Sequence, residues 1–446
     1  MIEPAVLKGF RDSLPCDEIP KRRLIRKLED IFSLYGFSPL DTPALEYTSV
    51  LLGKGGGETD KQIFRFTDNG GREVAMRFDL TVPFARFTAG HANELSRPFK
   101  RYHINKVWRG ENPQKGRYRE FYQCDFDIVG VDNAYADWEI LSTMAFCFRT
   151  IFEGDESAFS FHISHRGLFN SFLSHIGLSE RSVDILRLVD KIRKIGRDEV
   201  HRQLAEIAAD ETKAELILSF VSPVEGESFP HTLSRLTELA GGSCEASERL
   251  GEIYSLLCSE GIGELFTLDA SITRGLDYYT GLVYETFLTG CPSIGSVCSG
   301  GRYNNLASLY TKENLPGVGS SIGLDRLLAA LEDLKSPLLA QKQSADVLFV
   351  SEDKKASFAF ESRIAGSLRE KGIKCDIYPI QVKKMKSVYD YSDRNHIPMI
   401  LIWNWKGEVS LKDTASQEVH SFGIADDEVI TGEISDRIQR SSRIQA

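Results

Sequence analysis

Between Lys100 and Gly130 the chain reads KRYHINKVWRGENPQKGRYREFYQCDFDIVG, and carboxylates, an amide and several arginines crowd together there. The pattern predicts a strand, a basic loop around Asn112-Pro113-Gln114-Lys115-Gly116, and a second strand. Side chains alternate along a strand, so Phe121, Gln123, Asp125 and Asp127 share one face and Tyr122, Cys124, Phe126 and Ile128 the other. The second set is a packing face. The first carries two carboxylates and an amide, which need a ligand or paired charges if they are buried. Alternation alone leaves open a ligand site and a structural ion-pair network. Upstream, Arg77, Asp79 and Thr81 alternate onto one face of what reads as a strand ended by Pro83. Downstream, Thr273-Arg274-Gly275-Leu276-Asp277-Tyr278-Tyr279 sets an arginine beside an apolar run. Ser299-Gly300-Gly301-Arg302-Tyr303 offers glycines that let a backbone approach a ligand, or form a tight turn. Gly53-Lys54-Gly55-Gly56-Gly57-Glu58-Thr59 lacks the order of a phosphate loop and reads as a mobile loop beside the site.

These residues need elements to hold them. Leu24, Ile25, Leu28, Ile31, Phe32 and Tyr35 recur at helical spacing ahead of Gly36. From about Phe64 to Gly130 short strands and turns predict an antiparallel sheet, with a hairpin turn at Asn69-Gly70-Gly71. Helical spacing returns between about 176 and 257, broken from Pro223 to Pro230, as in an insertion. Strands resume near Ile272 and lead into a helix carrying Leu324, Leu327, Leu328 and Leu331 on one face. The expected divisions are a core over 1–335 interrupted at about 176–257, an α/β domain over 345–434, and a frayed tail over 435–446.

Composition narrows the class. A chain of 446 residues that is 42% hydrophobic implies two or three domains. No apolar run approaches the length of a membrane span, and the N-terminus lacks a leader pattern, so a cytoplasmic protein is expected. Eight cysteines without a CxxC pair suggest neither disulfides nor a zinc ribbon. A net charge of −10 argues against a generic nucleic-acid binder, so any RNA must be met by local basic patches such as Lys383, Lys384 and Lys386.

The Lys100–Gly130 segment resembles motif 2 of the class II aminoacyl-tRNA synthetases, and Thr273–Gly281 is similar to the signature of the histidyl-tRNA synthetases within that class. Ser299–Leu306 resembles the companion signature, Gly317–Leu327 resembles motif 3, and the helix before Gly36 with Thr42–Glu46 resembles motif 1, the dimer element. The resemblance spans nearly the whole chain. It implies an α+β catalytic core built on the class II antiparallel sheet flanked by helices, a helical insertion, and a C-terminal α/β anticodon-binding domain. It also implies activation of histidine with ATP, transfer to tRNA(His), Mg²⁺ as cofactor, and a homodimer. Arg109 and Arg274 would flank the α-phosphate, where a planar guanidinium suits the charge that gathers on phosphate oxygens. Glu111, Arg117, Phe121 and Arg326 would hold the rest of ATP. Asp79, Thr81 and Gln123 would take the substrate ammonium, and Asp127, Tyr279 and Tyr303 its imidazole. Gln114 would face the acceptor stem.

Two other readings compete. A non-catalytic histidine-sensing paralogue shares this core, but such relatives resemble a synthetase without the C-terminal domain and with eroded ATP arginines. Arg109, Arg274 and Arg326 are all present here. A synthetase for another amino acid is disfavoured by Arg274 to Tyr279.

Overall fold

In the computed structural model, residues 1–53, 62–272, 278–423 and 426–444 are described. The expected loop from Lys54 to Thr59 and the Thr273–Asp277 part of the signature, with Arg274, lie outside them. The chain divides into two units, one of residues 1–11 and 24–336, the other of residues 12–23 and 337–446. The Pro15–Leu34 helix contributes to both.

In the larger unit the strands are, in chain order, β1 (Ser38–Pro39), β2 (Leu45–Tyr47), β3 (Arg65–Thr67), β4 (Glu73–Met76), β5 (Phe99–Trp108), β6 (Glu120–Val129), β7 (Phe159–His165), β8 (Phe266–Leu268), β9 (Leu282–Leu288), β10 (Cys298–Arg302) and β11 (Gly317–Gly323). Eight of them form one sheet in the order β1-β5-β6-β11-β10-β9-β7-β8. Its interior pairs are antiparallel as expected, but the outermost pairs, β1 with β5 and β7 with β8, are parallel. β2, β4 and β3 make a separate small sheet. The turn joining β3 to β4 is held by Asp68, whose carboxylate accepts from Gly70 N and Arg72 N, both at 2.9 Å.

The alternation along β6 appears as a two-sided strand. Cys124, Phe126 and Ile128 are buried on the rear face, where Phe126 meets Phe32 at 4.9 Å and Phe37 at 5.9 Å between ring centroids. The Ala134–Ile151 helix covers the same face, with Met144 Sδ accepting from Thr286 Oγ1. Asn133 starts this helix by accepting from Ala136 N at 3.0 Å, which satisfies one of its free first-turn donors. Gly36, at φ +75°, ends the Pro15–Leu34 helix one turn before β1.

After β7, helices from Arg166–His175 to Glu245–Ser259 fill the stretch expected to be helical. Pro223 lies in the link between two of them, while Pro230 sits in the first turn of the next, where its missing N–H costs no helical hydrogen bond.

The smaller unit is a five-stranded sheet of β12 (Val347–Ser351), β13 (Cys375–Ile377), β14 (Met399–Trp403), β15 (Val409–Asp413) and β16 (Val419–Gly423), ordered β13-β12-β14-β15-β16. Val347, Phe349 and Leu401 pack against Ile364, Leu368, Ile430 and Ile434 on one face, and Leu348, Val350 and Ile400 against Val388 on the other. The stretch expected to fray from 435 onward begins inside a helix. Residues Asp427–Ile444 form a helix, because Ile430 and Ile434 are fully buried and Ile438 packs beside them, one turn apart each.

Phe126→Ala is expected to lower stability by about 3–5 kcal/mol, since the neighbouring rings cannot close the cavity it leaves. A shift in denaturation midpoint equivalent to under about 1 kcal/mol would contradict that packing.

Candidate functional site

The front face of β6 carries Gln123, Asp125 and Asp127, all buried. Register fixes their neighbours. Asp127 lies opposite Arg101 of β5 and Gly319 of β11, and Asp125 lies opposite His103 and Ser321. Arg101 is fully buried, with Nη2 2.8 Å from Asp127 Oδ2, and its guanidinium sits 4.2 Å over the Phe84 ring. Tyr303 donates its hydroxyl to Asp127 Oδ1 at 2.5 Å. Burial pushes the Asp127 carboxyl upward, against the pull of Arg101 and Tyr303, and it pushes Asp125 up to about 7.

This arrangement depends on missing side chains across the strand. A Cβ on Gly319 would stand 1.9 Å from Asp127 Oδ1, and one on Gly317 would stand 2.3 Å from the Tyr303 ring. The small-residue strand therefore exists because the carboxylate and the tyrosine lie across it.

Asp79 and Thr81 reach the same place by a route the sequence reading misjudged. They do not alternate along a strand. β4 ends at Met76 and a helix runs over Thr81–Gly90. Pro83 is tolerated in its first turn, where the backbone N–H has no helical partner to lose, and Asp79 Oδ1 accepts from Val82 N at 3.1 Å. Arg77 turns away, donating to Thr42 O at 2.5 Å and Lys106 O at 3.0 Å. Asp79 is buried, pushed upward by desolvation, and accepts from the Tyr278 hydroxyl at 3.2 Å. Tyr279 packs edge-on against Tyr278 at 5.0 Å, and its carbonyl accepts from Arg166 at 2.6 Å. Asp79, Asp125, Asp127, Tyr278, Tyr279 and Tyr303 thus gather at one end of the face.

The other end is cationic. Arg109, just past β5, donates to Phe78 O at 2.9 Å and lies 5.2 Å over the Phe121 ring. Arg326, in the first turn of the Leu324–Asp333 helix, donates to Ser296 O. Burial first, and then the charges of Arg117 and Arg109, bring its pKa down to about 10, so three guanidiniums share one neighbourhood. Glu111 supplies only a distant counter-charge, 3.9 Å from Arg117. Asp325, beside Arg326, faces elsewhere, accepting from Tyr122 N and pairing with Arg11, both at 2.7 Å. A concentration of positive charge of this kind suits a polyanion. Gln114 is exposed at the tip of the β5–β6 loop, bridged to Arg117 through paired backbone hydrogen bonds.

Among the described residues no three of His, Cys, Asp and Glu gather as a metal-ligand set. The described side chains therefore offer no ready-made cage for a resident metal ion.

The sequence reading left three residues of this face without a role. Arg101 was one basic residue among several, although two carboxylates on the partner strand required a cation on their own face. Asp125 was noted only as part of that face. Tyr278 was given no role of its own, but its hydroxyl holds Asp79.

The chain matches a family model described as "Histidyl-tRNA synthetase" over residues 9–327. It is 52% identical over 403 residues to a histidine–tRNA ligase of Treponema denticola, covering 89% of this chain and 88% of that one. A second histidine–tRNA ligase, from Rhodopirellula baltica, is 44% identical over 94% of this chain and 95% of its own. Among solved structures, a histidyl-tRNA synthetase from Nostoc sp. superposes with a TM-score of 0.85 at 28% identity, covering 98% of this chain and all (100%) of that one.

Gly319→Ala is expected to destabilise the protein by about 1–3 kcal/mol, by forcing Asp127 off its partners. Gly323→Ala, whose added carbon meets nothing closer than 3.6 Å, should stay within about 0.5 kcal/mol. Equal denaturation midpoints for the two variants would contradict the steric account.

Proposed function

Because the chain belongs to the histidyl-tRNA synthetase family, we propose that it activates histidine with ATP and transfers it to the 3′ end of tRNA(His). The observation that carries this reading is the polarity of one sheet face, with three guanidiniums at one end and buried carboxylates with tyrosines at the other. A polyanionic nucleotide and a small cationic amino acid then meet where the ends join.

In this reading Asp79, Thr81 and Gln123 take the ammonium, and the unpartnered Oε1 of Gln123 is suited to an N–H donor. Asp127, Tyr279 and Tyr303 take the imidazole. Arg109 and Arg274 hold the α-phosphate, Phe121 stacks on the adenine, and Glu111, Arg117 and Arg326 hold its edge and the outer phosphates. The histidine carboxylate forms a bond to the α-phosphorus while the bond to pyrophosphate breaks. The terminal adenosine hydroxyl of the RNA then attacks the activated carbonyl and AMP leaves. No side chain need act as nucleophile, and catalysis is positioning plus charge stabilisation. Mg²⁺ bound with ATP would neutralise part of the charge on its phosphates.

The larger unit serves as the catalytic core and the smaller as the anticodon-binding domain, with Gln114 directed at the acceptor stem. A homodimer is proposed from the motif 1 resemblance, and light scattering at twice the monomer mass would support it. A cytoplasmic location accords with eight free cysteines, and among the described residues no helix is long and apolar enough to cross a membrane. A histidine-sensing subunit without catalysis fits less well, because the cationic end that would hold ATP is intact.

Histidine-dependent exchange of pyrophosphate into ATP tests the proposal, and its absence would refute it. Arg109→Ala should slow exchange by roughly 10²- to 10³-fold. Arg274→His should abolish it while leaving histidine binding by calorimetry intact, and unchanged exchange would remove Arg274 from the mechanism.

A further inference from the structure

Asp125 is used by nothing described so far. It is 1% exposed, on the same face of β6 as Gln123 and Asp127, and its Oδ1 has no hydrogen-bond partner among the described residues. A buried carboxylate oxygen without a donor is unfavourable unless a ligand brings one. The Ser321 hydroxyl and the charge of Arg101 favour the ionised carboxylate, but neither supplies a donor to Oδ1. Across β5 the opposed residue is His103, whose Nε2 is engaged with Asp41 at 2.9 Å. Across β11 the opposed residue is Ser321, which accepts from Gln123 Nε2 at 2.9 Å. Arg101 is committed to Asp127.

The position points to the imidazole end of the pocket. Asp125 and Asp127 are the first two charges acting on the Tyr279 hydroxyl, ahead of Asp79, whereas Asp79 is foremost for Tyr278. Asp127 already accepts from Tyr303 and is paired with Arg101. Among the described residues, three buried carboxylates, Asp79, Asp125 and Asp127, face the buried guanidinium of Arg101, while the other fully buried one nearby, Arg77, is turned to the Thr42 and Lys106 carbonyls. The ammonium of a bound amino acid offsets one of the excess charges, and a proton on its side chain would offset the other.

We propose that Asp125 is a specificity-determining residue, a second carboxylate whose Oδ1 accepts a proton-bearing imidazole nitrogen while Asp127 accepts the other. The site then selects histidine as a ring able to present N–H on both nitrogens, a capacity absent from asparagine, glutamine and neutral azoles. This inference rests on the histidine-pocket reading above.

Calorimetric binding of histidine and of 1,2,4-triazolyl-3-alanine, whose ring stays unprotonated near neutrality, tests it on the full-length protein. The native protein should bind histidine at least tenfold more tightly than the triazole. In Asp125→Asn the two should fall within threefold, through weaker histidine binding and a raised KM for histidine, with the KM for ATP unchanged. Equal binding of the two ligands by the native protein, or full discrimination in the variant, would overturn the proposal. The native comparison decides the matter even if the variant does not fold. A native protein that binds no histidine at all would instead refute the pocket reading.

Discussion

The buried pair of Arg101 and Asp127 organises the site. Two opposite charges withdrawn from water across the β5–β6 ladder are stable only because each is met by its partner and by further groups. Tyr303 donates to the carboxylate, and the Leu80 carbonyl and the Phe84 ring hold the guanidinium. Through these contacts one ion pair ties β5, β6, the segment after β10 and the Thr81–Gly90 helix together. Gly319 has to be glycine because Asp127 crosses it. Removing one partner alone would leave an uncompensated buried charge, which is far more damaging than losing a surface pair.

From that anchor the face divides by electrostatics. Toward Asp79 and the tyrosines the field is negative and the carboxyls are pushed up by burial. Toward Arg109, Arg117 and Arg326 it is positive, and the lowered pKa of Arg326 comes from its burial and then from the repulsion of its neighbours. A nucleotide that relieves the second and an amino acid that relieves the first are brought into one line. The protein stores both repulsions in a rigid sheet, so that substrates, not side-chain rearrangements, complete the charge balance.

Much of this was legible in the sequence where a period carries the information. Period-two alternation gave the correct faces of β6, and Gly36 marked the end of the first helix. The failures came where local pattern and tertiary context part. Asp79 and Thr81 looked like alternate strand positions, but Pro83 is as acceptable in a first helical turn as at a strand end, and the Asp79 carboxylate decides for the helix by accepting from Val82 N. At the C-terminus the helical stripe of Ile430, Ile434 and Ile438 runs into the stretch expected to fray, because their burial depends on packing against the smaller unit's sheet. Arg101 carries no mark in its own strand, since its role depends on register with Asp127.

The substrate ring is expected in the negative field and the phosphate in the positive one. A crystal structure with a non-hydrolysable histidyl-adenylate analogue tests that most directly. The imidazole should lie within hydrogen-bond distance of Asp127, with the phosphate mimic against Arg109 and the adenine over Phe121. An analogue bound with its ring away from Asp127, or with its phosphate mimic out of reach of Arg109, would contradict the account.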